Sequence, residues 1–266
     1  MKIRYLGFSP KIASARLRNY IPASVLAKRG HEIVFKGPAD VVILGKHDFP
    51  EDAAHNAGHV VFDVCDDHFD HPTLGEHYRR WVAQADTVTC NSRVMRDRIA
   101  ALGRIAVVID DPYESPEHPA KCHAPALWFG HKSNLVDLIP IFDRLPETVV
   151  VSNADGPKVV QWSPESMRQA WQTCGIAVIP TGKSMAKSAN RAIEAIRHGL
   201  YPCCGRLPAY DEIGLGTEDV PRETWERLRR PKETIELVRA LQANIRERFS
   251  PETVADAWEK VIARGH

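Results

Sequence analysis

The chain lacks the segments that would take it into a membrane. No run of 18 apolar residues occurs, so no stretch is long enough to span a bilayer as a helix. The opening, MKIRYLGF, passes straight into a β-rich run with no leader-like pattern, and the expected location is the cytoplasm. Several site signatures are missing too. There is no GxGxxG after the first strand, HNAGH at 55–59 lacks the glutamate of HExxH, and the acidic residues do not follow a calcium-loop spacing. The six cysteines, at 65, 90, 122, 174, 203 and 204, follow neither metal nor disulfide spacing, which fits reduced thiols. Net charge is +1, too small for a bulk field that gathers nucleic acid or membrane, although local patches stay open.

What is present is an ordinary globular composition, 44% hydrophobic and 26% charged over 266 residues, enough for one large domain or two small ones. Apolar runs at 2–8, 31–35, 40–45, 59–69, 86–92 and 104–110 predict six strands, with helices over 75–85 and 93–103. Runs of this kind between helices predict parallel strands buried on both faces. Asn91 or Ser92 is placed to cap the helix at 93. Residues 110–125 hold four prolines and no periodicity, and are expected to link two domains. The pattern then restarts. Strands are expected at 126–130, 147–153, 158–162 and 175–180, with helices at 134–145, broken at Pro140, and at 164–174 behind Pro164. The tail is helical, and Ser250–Pro251 opens its last helix, striped by Val254, Trp258 and Val261.

The stretch richest in chemistry is TGKSMAKSANRAIEAIRHGL, 181–200, directly after the apolar strand GIAVIP. As a helix it gathers Lys187, Asn190, Arg191, Glu194 and His198 on one face, with Ala189, Ala192, Ile193, Ile196 and Leu200 opposite. A strand, a loop carrying Gly182 and Lys183, then a helix with cations at its start is a candidate anion site. Glu194 is placed to accept hydrogen bonds from vicinal hydroxyls such as those of a ribose. First-turn cations oppose the helix dipole and repel one another, which favours a ligand over a purely structural role. The alternative is a solvated basic face with Glu194 paired to Arg191 or His198.

KSANRAIEAIRHGLYP resembles the nucleotide-binding signature of GT-B glycosyltransferases, in the large family that includes many retaining enzymes. The resemblance implies a GT-B architecture: an α/β chain of two Rossmann-like domains facing a cleft, in a compact version. The domains are expected at 1–112, on the acceptor side, and at 126–249, binding the nucleotide-sugar. The helix in 250–266 is expected to cross back to the N-terminal domain. It implies further that Glu194 holds the ribose and that Lys187 and Arg191 lie near the diphosphate. The family often carries a second acid, in an E-x7-E pattern, where this chain has Ala186. That departure leaves the donor sugar open.

Other segments match the family more loosely. FGHKSN (129–134) resembles the turn that ends the first strand of the second domain, which implies that Gly130, His131 and Asn134 border the nucleotide-sugar and that Lys132 supplies a cation. Lys183, Ser188 and Asn190 join that nucleotide-sugar set. DVCDDHFDH (63–71) resembles the turn after the fourth strand on the acceptor side, which implies a sugar contact for His68 and an acceptor hydroxyl for Asp66 or Asp67. The first loop implies Ser14 and Arg16 near the donor phosphates or the acceptor.

Glycosyl transfer builds negative charge on a leaving β-phosphate. No Asp-x-Asp pair occurs to hold a metal there, and fixed cations (Lys132, Lys183, Lys187 and Arg191) with helix N–H groups can do that work. His68, Lys132, Lys187 and Arg191 are therefore the candidate catalytic residues, with no metal and no cofactor beyond the donor substrate. The acceptor stays open among glycan, lipid-linked sugar, protein, nucleic acid and small molecule. Two readings from other classes remain. One is a non-catalytic nucleotide- or sugar-binding protein. The other is a metal-dependent hydrolase built on Asp63, Asp66, Asp67, His68, Asp70 and His71. Lys11, Arg16, Arg18, Lys28 and Arg29 beside Leu17, Ile21, Val25 and Leu26 also raise the alternative of an anionic acceptor or membrane surface, set against ordinary core packing.

Overall fold

The computed structural model describes residues 1–6, 12–45, 51–182 and 184–265. By its contacts the chain divides into two compact units. The first comprises Met1–Glu114, Ala186–Ser188 and Glu247–His266; the second comprises Ser115–Met185 and Ala189–Arg246.

The first unit is built on a parallel sheet of strands β1 (Lys2–Leu6), β2 (Glu32–Val34), β3 (Ala39–Leu44), β4 (Ala57–Val64), β5 (Thr87–Cys90) and β6 (Ala106–Val108), in the order β2-β1-β3-β4-β5-β6. Alternate side chains of β3 enter different cores, as the two-residue period of a strand requires. Val41 and Ile43 pack with α2 (Ile21–Lys28) and the terminal helix α11 (Pro251–Ile262), whose Val254, Trp258 and Val261 are all buried. Val42 and Leu44 join the opposite core with Tyr78, Trp81 and Val82 of α3 (Gly75–Gln84) and Met95 and Ile99 of α4 (Arg93–Ala100). Ser92, not Asn91, caps α4, accepting a hydrogen bond from the Met95 amide at 3.2 Å.

Ahead of α2, the short α1 (Ala13–Ala15) runs into a π-helical turn, Arg16–Tyr20. That wider turn buries Leu17, Arg18 and Asn19 together. The cations read as a basic surface are therefore mostly committed. Arg18 is buried, Arg16 pairs with Glu114 at 2.8 Å, and Arg29 reaches Asp256 and Glu259 at 2.7 Å each. Lys11 lies outside the described residues. Core packing is what the helix shows, with Leu17, Val25 and Leu26 all buried.

The second unit carries a five-stranded parallel sheet of β7 (Ala126–Gly130), β8 (Thr148–Ser152), β9 (Val159–Gln161), β10 (Ile176–Ile179) and β11 (Tyr201–Cys204), in the order β11-β10-β7-β8-β9. Its helices are α5 (Leu135–Leu138), α6 (Pro164–Thr173), α7 (Asn190–Arg197), α8 (Pro208–Asp211), α9 (Val220–Arg229) and α10 (Pro231–Arg248), the last ending within the first unit's span. Pro140 does break the expected helix: α5 stops at Leu138 and a 3-10 stretch, Ile139–Arg144, replaces it. A full capping box of Ser163 and Ser166 starts α6.

The proline-rich segment joins the two units, the division falling between Glu114 and Ser115, and its backbone is paired on either side. Its first part is held in the first unit, where Arg248 pairs with Asp110 at 2.8 Å and the Tyr113 amide donates to the Phe249 carbonyl. Its second part is held in the second unit, where the His118 and Lys121 amides donate to the carbonyls of Arg197 and Gly199. Prolines without periodicity look like a spacer in sequence, but these backbone groups are paired. No helix among the described residues is long and apolar enough to cross a membrane.

Candidate functional site

In an open parallel sheet, ligand sites form beyond the carboxyl ends of the strands where the strand order reverses. In the second unit that point lies between β7 and β10. Chain order from β7 outward, β9-β8-β7-β10-β11, is the 3-2-1-4-5 order of a mononucleotide-binding half. β7 ends at Gly130, and the chain after β10 leads through 181–189 into α7.

Two glycines here lie close to other side chains. A Cβ on Gly182 would fall 2.6 Å from a carboxylate oxygen of Asp137, and one on Gly130 would press on an Arg191 guanidinium nitrogen at 3.3 Å. Gly130 and Arg191, 61 positions apart in number, are therefore neighbours. Arg191 also donates to the Phe129 carbonyl at 3.4 Å, and its charge lies near the hydroxyl of Tyr210. Tyr210 is buried, which pushes its hydroxyl pKa well above the ordinary value despite Arg191.

Beside Gly130, the His131 ring caps the short 3-10 turn Lys132–Asn134, accepting from the Ser133 amide at 3.3 Å. The Lys132 amide donates to Asn153 at 2.8 Å, and its side chain is exposed. The N-terminus of α7 has no side-chain cap at Ala189, unlike α4, α6, α9 and α11. Its first-turn N–H groups are thus available to ligand oxygens. Asn190, Arg191 and Glu194 are half-buried on this helix, while Ala192, Ile193, Ala195 and Ile196 are buried behind them.

Helix α7 is shorter than the expected helix, which was to gather Lys187 onto the face of Arg191. It starts at Asn190, so Lys187 and Ser188 precede it, and both group with the first unit. Ala186 is pulled into the first unit's core, and the Ser188 hydroxyl donates to Asp111 at 2.5 Å. These ties keep 186–188 out of the helix. The mutual repulsion expected among first-turn cations therefore does not arise within α7, whose first turn carries Arg191 but not Lys187. Lys183 lies outside the described residues.

His198, also expected on the ribose face, is committed elsewhere. It caps the carboxyl end of α7, its Nε2 meets the Ser115 hydroxyl at 2.9 Å, and its ring stacks on Trp171 at 4.2 Å and His118 at 4.9 Å. Burial, with the neighbouring His118, Lys121 and Arg197, pushes its pKa from the ordinary 6.5 down to about 3. The folded ring is therefore neutral where an unfolded one takes up a proton, so this contribution is whole above pH 6.5 and is lost as pH falls from 6.5 toward 3. The melting temperature should accordingly drop between pH 6.5 and 4, and His198→Phe should flatten that drop. Equal slopes in variant and wild type would remove His198 as its source.

In the first unit, the strand order reverses between β1 and β3. A narrow pocket sits there, lined by Ser14, Arg18, Asn19, Gly45, Asp63 and Cys65. The Ser14 hydroxyl oxygen is buried and has no hydrogen-bond partner among the described residues, so a polar group entering the pocket would satisfy it. Arg18 is the residue that sequence reasoning missed as a buried group. It donates to Asp63 at 2.6 and 2.9 Å and to Asp111 at 3.2 Å, and also reaches the Ile109 carbonyl. Asp63 takes a further bond from Thr89 at 2.7 Å. The pairing of an arginine in a helix's first turns with Asp63 at a strand end leaves no trace in local periodicity.

The acidic turn after β4 is largely engaged too. Asp67 and Asp70 pair with Arg98 at 3.1 and 2.7 Å, and the Cys65 thiol lies 3.8 Å from Asp66. His68 is half-buried, edge-on to Tyr78 at 5.2 Å. Among the described residues, no group of three or more His, Cys, Asp or Glu side chains is arranged to hold a metal ion.

No known family model matches the chain, and no curated protein matches it in sequence. Solved structures do match in fold. HepE of Anabaena, in complex with UDP and glucose, aligns with a TM-score of 0.71 and 14% identity, each chain covered to 99%. An alpha-glucosyltransferase in complex with UDP aligns with a TM-score of 0.67 and 10% identity over 98% of this chain and 99% of that one. TarM aligns with a TM-score of 0.60 and 10% identity over 84% of this chain; the match spans 54% of TarM's length. At such identities the likeness is one of fold, and the fold is that of the GT-B glycosyltransferases in a compact two-domain form.

Proposed function

We propose that the chain is a metal-independent glycosyltransferase that moves a sugar from a nucleoside diphosphate-sugar to an acceptor hydroxyl, with retention as the family resemblance implies. The observation that carries the proposal is the switch point of the second sheet, where Gly130, Arg191 and the uncapped start of α7 converge. The matching fold of HepE and the alpha-glucosyltransferase, whose structures contain UDP, supports it.

In the proposed reaction the bond between the anomeric carbon and the β-phosphate oxygen breaks, the sugar becomes oxocarbenium-like, and the nucleoside diphosphate leaves. The acceptor oxygen bonds to the anomeric carbon and gives up its proton. Charge growing on the leaving phosphate is met by Arg191, Lys187, Lys132, Lys183 and the α7 amides, since fixed cations and helix N–H groups can stabilise a departing diphosphate without a metal. Glu194 accepts the ribose hydroxyls, while Gly130, His131, Asn134 and Asn190 border the nucleotide. His68 touches the transferred sugar, and Ser14, Arg16, Asp66 and Asp67 serve the acceptor. Asp67 and Arg16 would do so from within their ion pairs with Arg98 and Glu114. The absence of an Asp-x-Asp pair supports fixed cations in place of a metal.

A panel of nucleoside diphosphate-sugars, assayed for hydrolysis and binding with and without chelator, tests the proposal. Turnover that chelator leaves unchanged is the expected result. Binding without turnover would make the chain a nucleotide- or sugar-binding protein, and loss of activity on chelation would restore a metal to the mechanism.

A further inference from the structure

The turn Ala186–Ser188 is anchored at both ends by residues of the first unit. Ala186 is 5% exposed, packed in the core with Phe62 and Met95, and its carbonyl accepts from the Ser92 hydroxyl at 3.0 Å. Ser188 donates to Asp111 at 2.5 Å, the short end of the range for a hydroxyl on a carboxylate. Lys187, half-buried, stands between these two anchors.

Asp111 is an unusual choice for a merely structural position. It is 5% exposed and, among the described residues, shares Arg18 with Asp63, which already holds two of the guanidinium's bonds and a third from Thr89. Burial raises the Asp111 pKa although Arg18 and Ser188 oppose the shift. An amide of the same shape would satisfy Arg18's neighbourhood at lower cost, since Arg18 and Asp63 alone form a neutral pair. What the carboxylate adds is a strong, directional acceptor for Ser188.

We propose that Asp111 is a positioning residue: held by Arg18, it fixes the Ser188 hydroxyl and thereby sets the turn that carries Lys187. The inference rests on the reading of Lys187 as a cation for the leaving diphosphate. The Arg18–Asp63 pair is the rigid base, Asp111 the arm, and Ser188 the contact. Freeing the contact leaves the fold intact but loosens the turn that carries Lys187, and a misplacement of about 1 Å at a charge-stabilising group can cost roughly a hundredfold in rate.

Two measurements on the full chain test this. The first is hydrogen exchange of peptides spanning 184–190, beside melting curves, and needs no substrate. Asp111→Leu, which removes the acceptor that an asparagine would keep, and Ser188→Ala should speed exchange there by roughly tenfold or more while the melting temperature of Asp111→Leu holds or rises. Ser188→Thr, which keeps the donor, should recover the slow exchange. Unchanged exchange in both variants overturns the proposal, as does faster exchange throughout the first sheet with a lower melting temperature, which marks an ordinary structural bond. The second is turnover of UDP-glucose, where Asp111→Leu should lower kcat with KM held. Lys187→Ala separates the two claims. If exchange responds as expected but Lys187→Ala leaves turnover untouched, the role given to Lys187 fails and the anchoring stands. If Lys187→Ala lowers turnover and exchange at 184–190 does not respond to Asp111→Leu, the anchoring fails and the role of Lys187 stands.

Discussion

Arg18→Ala should destabilise the protein by about 3–5 kcal/mol, the cost of leaving a buried ionic partner uncompensated. Arg18 is 2% exposed, Asp63 1% and Asp111 5%, so water cannot replace the lost guanidinium without opening the core. Burial by itself would lower the Arg18 pKa, but Asp63 and Asp111 outweigh it and hold the group above its ordinary value. The side chain also lies over the Trp258 ring at 5.5 Å, so truncation opens a void against the terminal helix. Arg18→Lys keeps the charge but not the two-pronged contact with Asp63, and should fall between alanine and wild type. Adding Asp63→Asn to Arg18→Ala should recover part of the loss, because one of the two stranded charges is gone. Urea unfolding of the four proteins checks this. A loss under about 1 kcal/mol for Arg18→Ala, in the range of exposed ion pairs, would mean that the cluster is hydrated.

The second large effect is expected in catalysis. Arg191→Ala should lower turnover of the donor by roughly a hundred- to a thousandfold, as removal of a preorganised charge-stabilising donor does elsewhere. Its charge matters most as the diphosphate departs, so kcat should fall more than affinity for the nucleotide. Glu194→Ala should show the opposite division. If the carboxylate accepts two ribose hydroxyls, affinity should drop by about 1.5–3 kcal/mol for each charge-assisted bond lost, less whatever water restores. Glu194→Gln should lose less, since its amide oxygen still accepts. Arg191→Ala should also lower the melting temperature a little, because the Phe129 carbonyl loses a donor. Equal losses of kcat and affinity in both variants would mean that neither group has a separate task.

Much of the frame was legible in the residues. Apolar runs in β3, β4 and β10 identify buried strands, and Ser163, Ser250 and Pro140 mark helix ends by local chemistry. What escaped was set by distant partners. The start of α7 looks continuous with 181–189 because Lys187 fits a helical face, yet Asp111 and the first unit's core hold that turn away. Arg18 looks like any surface cation because its burial depends on a π-helical turn and on carboxylates 45 and 93 positions away. The 110–125 segment was legible as the join between the units, but its backbone pairing to Phe249, Arg197 and Gly199 is invisible in composition. For the candidate nucleotide residues Gly130, Arg191 and Glu194, the roles came from the resemblance of 129–134 and 187–202 to GT-B signatures; what the structure adds is that Gly130 and Arg191 are neighbours.

The central claim is that a nucleoside diphosphate occupies the switch point of the second sheet. Hydrogen exchange of the whole chain with and without saturating UDP, the nucleotide in the HepE and alpha-glucosyltransferase structures, tests it most directly. The account predicts slower exchange in peptides covering 130–134 and 190–194, with the strands of the first sheet unchanged. UDP that protects neither peptide, or that protects residues 63–71 in their place, would contradict it.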